Sequence, residues 1–181
     1  MSPLSHDKIY LVGFMASGKS TVARALARRL GWQSEDIDEL IEHRERRTIA
    51  DIFTRQGEAY FRGVEREILH LLHPLRQVVV ATGGGTFVDA DNRAFINVDG
   101  LSVWLDVPLV ELIPRIPLDG RRPLAANRTE LEKLYAARVE MYKQAHLRVS
   151  VNAASVEATV DLVLEAVQRM PSLLERPKPA S

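Results

Sequence analysis

The 181-residue chain contains no cysteine. Disulfides and thiolate metal sites are thereby excluded, and a reducing compartment is allowed. It carries no net charge, since 24 Lys and Arg are balanced by 24 Asp and Glu. Non-specific nucleic-acid binding needs a basic surface that releases counterions, so no nucleic-acid partner is expected. No apolar run reaches the roughly 18 residues a membrane-crossing helix requires, so no membrane partner is expected either. The stretch Met1 to Asp7 is polar and lacks the apolar centre of a secretion signal. These absences point to a soluble, cytoplasmic protein. There is no internal repeat, and the one biased stretch is Pro171 to Ser181, whose composition suits a loose tail. Residues 1–170 are enough for one core and are expected to form a single domain, acting as a monomer.

What is present is organised around Gly13-Phe14-Met15-Ala16-Ser17-Gly18-Lys19-Ser20, which has the spacing G-x-x-x-x-G-K-S. The apolar run Ile9 to Val12 before it suits a buried strand, and Thr21 to Leu30 after it suits a helix. Strand, loop and helix are the context in which this spacing forms a phosphate cradle. Successive backbone N–H groups in a tight loop make a concave anion site, and the helix that follows adds its positive dipole end. Lys19 is a mobile point charge for the outer phosphates, and the Ser20 hydroxyl is an oxygen ligand for magnesium.

The periodicity then predicts strands at 8–12, 32–35, 77–81, 101–105 and 147–151, with helices between them and a closing helix striped by Val156, Val160, Val163 and Val167. This is an α/β pattern with a parallel sheet. Asp36 and Asp38 follow the second strand, at the carboxyl edge where open α/β sheets place ligands. Either aspartate alone reads equally well as a helix N-cap. After the third strand, Gly83, Gly84 and Gly85 remove every side chain from the sheet edge, which lets a substrate lie against backbone. No aspartate follows that strand to serve as a second metal ligand, and Asp36 is the natural substitute. Gly57 is expected to break a helix that begins at Ile49. Arg62 and Glu65 share a helix face and, taken alone, read as a surface ion pair. Arg138 falls on the apolar stripe of a helix predicted over 129–146, with Leu131, Leu134, Tyr135, Met141 and Tyr142; an inward cation there requires an anion. Residues 118–127 are polar, basic and rich in turn formers, and are expected to form a lid. The histidines have no ligand pattern: His70 and His73 read as helix-end residues, and His6, His43 and His146 have no partners to recommend them.

In this order the motifs resemble those of shikimate kinase, over about residues 8–168. The marks are Gly13 to Ser20, Asp36-Ile37-Asp38, Phe61-Arg62-Gly63-Val64-Glu65, the three glycines, Arg121-Arg122-Pro123-Leu124, and Arg138 with Tyr142. The resemblance implies a P-loop NTPase fold of the nucleoside-monophosphate-kinase type. Its five-stranded parallel sheet has the order 2-3-1-4-5, with flanking helices, a substrate-binding segment at about 36–65 and a lid at about 117–128. It implies transfer of the γ-phosphoryl group of ATP to shikimate, with Mg2+. Gly13, Ala16, Ser17, Gly18, Lys19, Ser20 and Thr21 would hold the nucleotide phosphates, Arg115 would stack on adenine, and Arg122 would reach the phosphates from the lid. Ser20 and Asp36 would hold the metal. Asp38 would bond the acceptor hydroxyl, Arg62 and Arg138 would grip its carboxylate, and Phe53, Phe61 and Gly83 to Gly85 would wall the pocket. Lys19, Asp38 and Arg122 are then the catalytic set. The chain departs from the family pattern at Ala16 and Arg46, where glycine is frequent, and at Glu140 and Val156, where proline is frequent.

Overall fold

Five parallel strands make one sheet in the order β2-β3-β1-β4-β5 in the computed structural model, which describes residues 6–116, 128–152 and 155–170. The segment expected to be a lid, with Arg122 in it, and the expected tail at 171–181 lie outside the described residues. The chain runs β1 (Lys8–Val12), α1 (Lys19–Leu30), β2 (Gln33–Asp36), α2 (Ile37–Glu45), α3 (Ile49–Leu71), β3 (Val78–Ala81), α4 (Ala90–Asp99), β4 (Leu101–Asp106), α5 (Leu109–Leu112), a 3-10 turn (Ile113–Arg115), α6 (Arg128–Tyr142), β5 (Leu147–Ser150) and α7 (Val156–Arg169). The central strands β1, β3 and β4 are apolar and buried on both faces, as strands covered by helices must be. Val22 and Leu26 of α1, with Val160, Val163 and Val167 of α7, are buried. Each such side chain contributes roughly 1.5–3 kcal/mol by leaving water.

The boundaries differ from expectation where local rules compete. α1 starts at Lys19, two residues early, so Lys19 and Ser20 form its first turn. β2 ends on Asp36, which is also the N-cap of α2. Gly57 breaks the helix as expected: its non-helical backbone (φ 81°, ψ 172°) is a kink between two helical stretches, which together make up α3. The expected helix at 107–116 is one short α-helical stretch followed by the 3-10 turn at Pro114, because proline cannot donate the next helical hydrogen bond. α6 ends at Tyr142 rather than His146.

Arg46 caps α2 in the left-handed region, at φ 52°. This accounts for the glycine frequent at that place, since a side chain there costs about 1–2 kcal/mol. Arg46→Gly is expected to stabilise the fold by about 0.5–1 kcal/mol after the extra entropy of unfolded glycine is subtracted. A higher denaturant midpoint at unchanged m-value is the check; a lower midpoint would show that Arg46 makes contacts worth more than its strain.

At the amino end of β1 a polar cluster was not anticipated. Lys8 is fully buried, and its Nζ donates to the carbonyls of Leu72 and His73 and to Asp99 Oδ2 at 2.7 Å. The Tyr10 hydroxyl donates to the same oxygen, and His73 Nδ1 lies 2.6 Å from Asp99 Oδ1. His73, a helix-end residue as expected, also joins a pin between α3, β1 and α4. His146 is also engaged, since its Nδ1 accepts from the Ser102 N–H and its own N–H donates to Ser102 Oγ.

Candidate active site

The phosphate loop leaves the carboxyl end of β1 at Gly13, where a Cβ would stand 2.8 Å from the Leu105 carbonyl oxygen of the neighbouring strand. Only glycine fits that approach. Ala16 adopts φ 61°, so the loop accepts a Cβ in left-handed backbone at some strain. Gly18, also left-handed, is the N-cap of α1. Ser17 and Lys19 are buried, whereas Thr21 faces outward. Lys19 Nζ donates to the carbonyls of Gly13 (2.9 Å) and Phe14 (2.7 Å) and approaches Ser17 Oγ at 3.4 Å. Its charge is held over the cradle by the loop's own backbone.

Beside the loop lies a cavity of about 500 Å³, lined by Ser20, Asp36, Asp38, Phe53, Phe61, Arg62, Gly83 to Gly85 and Arg138 among others. The second and third strands deliver two of its walls. Asp36 caps α2 by accepting from the N–H groups of Asp38 (3.0 Å) and Glu39 (3.3 Å), both through Oδ1. The N-cap role and the place at the sheet edge are therefore held by the same residue. Phe53 and Phe61 pack together across the kink of α3, ring centroids 4.8 Å apart.

The three glycines are where the elements meet. A Cβ on Gly83 would fall 2.8 Å from Asp38 Oδ1, 2.9 Å from Glu65 Oε1 and 3.0 Å from Thr86 Oγ1. On Gly84 it would lie 3.2 Å from the Met15 amide nitrogen and 3.4 Å from Arg138 Nη1. On Gly85 it would lie 2.6 Å and 2.7 Å from Arg62 Nη2 and Nη1. Backbone without side chains is thus the common floor of a carboxylate and two guanidinium groups.

The pair Arg62 and Glu65 is not a surface pair. Glu65 is 0 % exposed; its Oε2 accepts from Arg62 Nη1 at 2.8 Å and its Oε1 from the Thr86 hydroxyl at 2.7 Å. A fully buried carboxylate must be satisfied in this way. Glu65 and Thr86 were missed from sequence, although a signal existed. Phe61, Glu65, Ile68 and Leu72 recur at four, three and four, so Glu65 lies on the apolar stripe of α3 just as Arg138 lies on that of α6. Arg138 is 6 % exposed, sits 5.7 Å from the Phe14 ring centroid and contacts the Tyr142 hydroxyl, which also donates to the Gly84 carbonyl.

The two guanidinium groups differ in electrostatic balance. Burial works against the charge on Arg62, but Glu65 and then Glu58 outweigh it and raise its pKa. At Arg138 burial dominates, the Tyr142 hydroxyl offsets part of it, and the facing Arg62 adds to it, so its pKa is lowered. Such a cation is suited to an anionic ligand.

Not every expected residue joins this cavity. Arg115 stands exposed in the 3-10 turn after α5, 3.8 Å from Glu111, and is not among the cavity's walls. Glu140 is exposed, paired with Lys143 at 2.6 Å, and is not among the cavity's walls. Among the described residues no cluster of three or more His, Asp or Glu is placed to hold a metal. Ser20 and Asp36, both lining the cavity, offer hard oxygen donors, a sparse set that suits a magnesium ion completed by phosphate oxygens and water.

The family model for shikimate kinase matches residues 15–168. A shikimate kinase from Persephonella marina is 40% identical over 161 residues, covering 88% of this chain and 98% of the relative. Among solved structures, a shikimate kinase from Acinetobacter baumannii in complex with shikimate is 34% identical with a TM-score of 0.85, covering 90% of this chain and 93% of that one. A gluconokinase from Sinorhizobium meliloti matches at a TM-score of 0.51 and 14% identity, covering 90% and 92%, which is a likeness of fold alone.

Proposed function

The chain belongs to the shikimate kinase family, and on that premise we propose how its residues carry out the ATP-dependent phosphorylation of shikimate. The observation that carries the proposal is the convergence of Asp38, Arg62 and Arg138 on three bare glycines beside the phosphate loop. The reaction gives ADP and shikimate 3-phosphate.

The N–H groups of the loop, from Gly13 through Ala16, Ser17 and Gly18 to Thr21, cradle the ATP phosphates. Lys19 exchanges its carbonyl partners for the transferred phosphoryl group. Ser20 and Asp36 would hold Mg2+, which supplies charge neutralisation on the phosphates. Arg138 and Arg62 bind the shikimate carboxylate, and Phe53 and Phe61 exclude water from the ring. Asp38 accepts from the reacting hydroxyl and aims it; the proton passes to Asp38 as the O–P bond forms. Phosphoryl transfer has a loose transition state, so aim and charge outweigh base strength. Arg122 completes the charge on the transferring group, and Arg115 takes the adenine face. One chain carries all of these residues, so a monomer would suffice for the reaction, and the cytoplasm would supply its ATP.

ADP release measured with shikimate, with gluconate and with no acceptor is the direct test. Turnover with shikimate alone is expected; turnover with gluconate alone, or none that depends on an acceptor, would overturn the proposal. A second expectation concerns positioning. Glu65→Gln weakens the charge-assisted bond that fixes Arg62, worth about 1.5–3 kcal/mol. The KM for shikimate is expected to rise about tenfold or more with a smaller change in kcat. An equal fall in kcat at unchanged KM would mean that Glu65 serves only the transition state.

A further inference from the structure

Arg62 is held from two sides by carboxylates of unlike standing. Glu65 is fully buried, tied to Thr86, and unable to leave. Glu58 is half exposed, and its Oε1 lies 3.3 Å from Nε and 3.2 Å from Nη2 of Arg62. A single oxygen thus spans the side edge of the guanidinium, which is one of the two edges that recognise a carboxylate in bidentate fashion. Glu58 also acts electrostatically on Arg138. It is the first residue after Gly57, whose non-helical backbone interrupts α3. The side chain therefore stands at a joint, with solvent on one side and the anion-binding guanidinium groups on the other.

We propose that Glu58 is a built-in competitor for the carboxylate of shikimate: it occupies the Nε and Nη2 edge of Arg62, and the substrate displaces it into solvent. The proposal rests on the assignment of shikimate as the acceptor. The charge balance supports it. Arg62 already meets two carboxylates, Glu58 and Glu65, and a third, Asp38, lies beside Glu65 at Gly83. A fourth carboxylate, from the substrate, adds repulsion unless one withdraws. Asp38 is needed at the reacting hydroxyl and Glu65 is walled in. Glu58 is the most exposed of the three, its side chain 51 % exposed, and can move into water at little desolvation cost. The function of such a competitor is selectivity. A neutral polyol leaves Glu58 in place and gains nothing from that edge of Arg62, whereas an acid exchanges one carboxylate for another. Glu58 thus sets the affinity at which the pocket admits an acid, and Glu65 sets the orientation of the guanidinium that receives it.

Calorimetric titration of shikimate, and of its uncharged methyl ester, into the full chain and into Glu58→Gln tests this. Glutamine keeps the length and removes the charge. Shikimate is expected to bind the variant about threefold to tenfold tighter, the worth of one partly exposed charge-assisted contact. The ester, which has no carboxylate to compete, is expected to bind both proteins alike. Unchanged or weaker shikimate binding would overturn the proposal and make Glu58 a strut that holds Arg62. An equal gain for the ester would also overturn it, because the effect would then not be exchange of carboxylates. A wild-type chain that binds no shikimate would remove the assignment of the acceptor, and this proposal with it, a result distinct from either of the others.

Discussion

Replacing Lys19 by alanine is expected to lower kcat by about 10²–10³-fold, the usual loss when one aimed charge or donor is removed from a transition state. The affinity for shikimate should change by less than about threefold, because Lys19 belongs to the phosphate loop and not to the guanidinium side of the cavity. The physical basis is where the charge sits. Nζ is buried over the cradle and held by the carbonyls of Gly13 and Phe14, so it is directed at the phosphates without a search through rotamers. Negative charge spread over the transferring oxygens gains most from a cation placed there. Lys19→Met, which keeps the aliphatic stem, separates loss of charge from loss of packing. Steady-state turnover with calorimetric binding of shikimate is the measurement. A kcat within tenfold of wild type for both variants would sink the role given to Lys19.

The second large effect falls on binding instead of turnover. Arg138→Leu is expected to weaken shikimate binding by about 10²–10³-fold, as truncating one member of a buried charge pair does. The same substitution should leave the melting temperature unchanged or raise it. Arg138 is 6 % exposed, and burial together with the neighbouring Arg62 already opposes its charge. A leucine of fair volume in that place removes a desolvation cost that the fold carries for the ligand's sake. The combination is diagnostic. A residue that served mainly the fold would lose stability on substitution, and ligand affinity only in consequence. Retained affinity, or a fall of several degrees in melting temperature, would contradict the assignment.

Much of this was legible in the chain itself, for reasons that differ by residue. The phosphate loop is legible because its function needs contiguous backbone N–H groups and a helix start, and both are written in adjacent residues. Arg138 is legible because a cation on an apolar stripe violates the helical pattern. The same violation at Glu65 was read as an ordinary i, i+3 surface pair, since a helix with two plausible faces does not announce which one is buried. Lys8 gave no warning at all. It stands at the head of an apolar strand, where a lysine is ordinarily solvated, and only the arrival of Asp99 and the ends of α3 makes its burial tolerable. The boundary shifts have a local cause: Asp36 both closes β2 and opens α2, and a residue with two duties is assigned to neither by periodicity.

By itself the sequence determined the succession of strands and helices along the chain and the phosphate loop. Both follow from spacing along the chain, because hydrogen-bonding periodicity and turn chemistry act over a few residues, whereas the roles of Asp38 and Arg62 came from the resemblance to a family. Only the tertiary structure decided that Asp38, Glu65 and Thr86 crowd one glycine, and that Arg62 leans on two carboxylates of unequal freedom. Those facts depend on β2 and β3 lying side by side and on what is left of water after α3 packs down. Exclusion of water is a property of the assembled fold, and no short stretch of residues carries it.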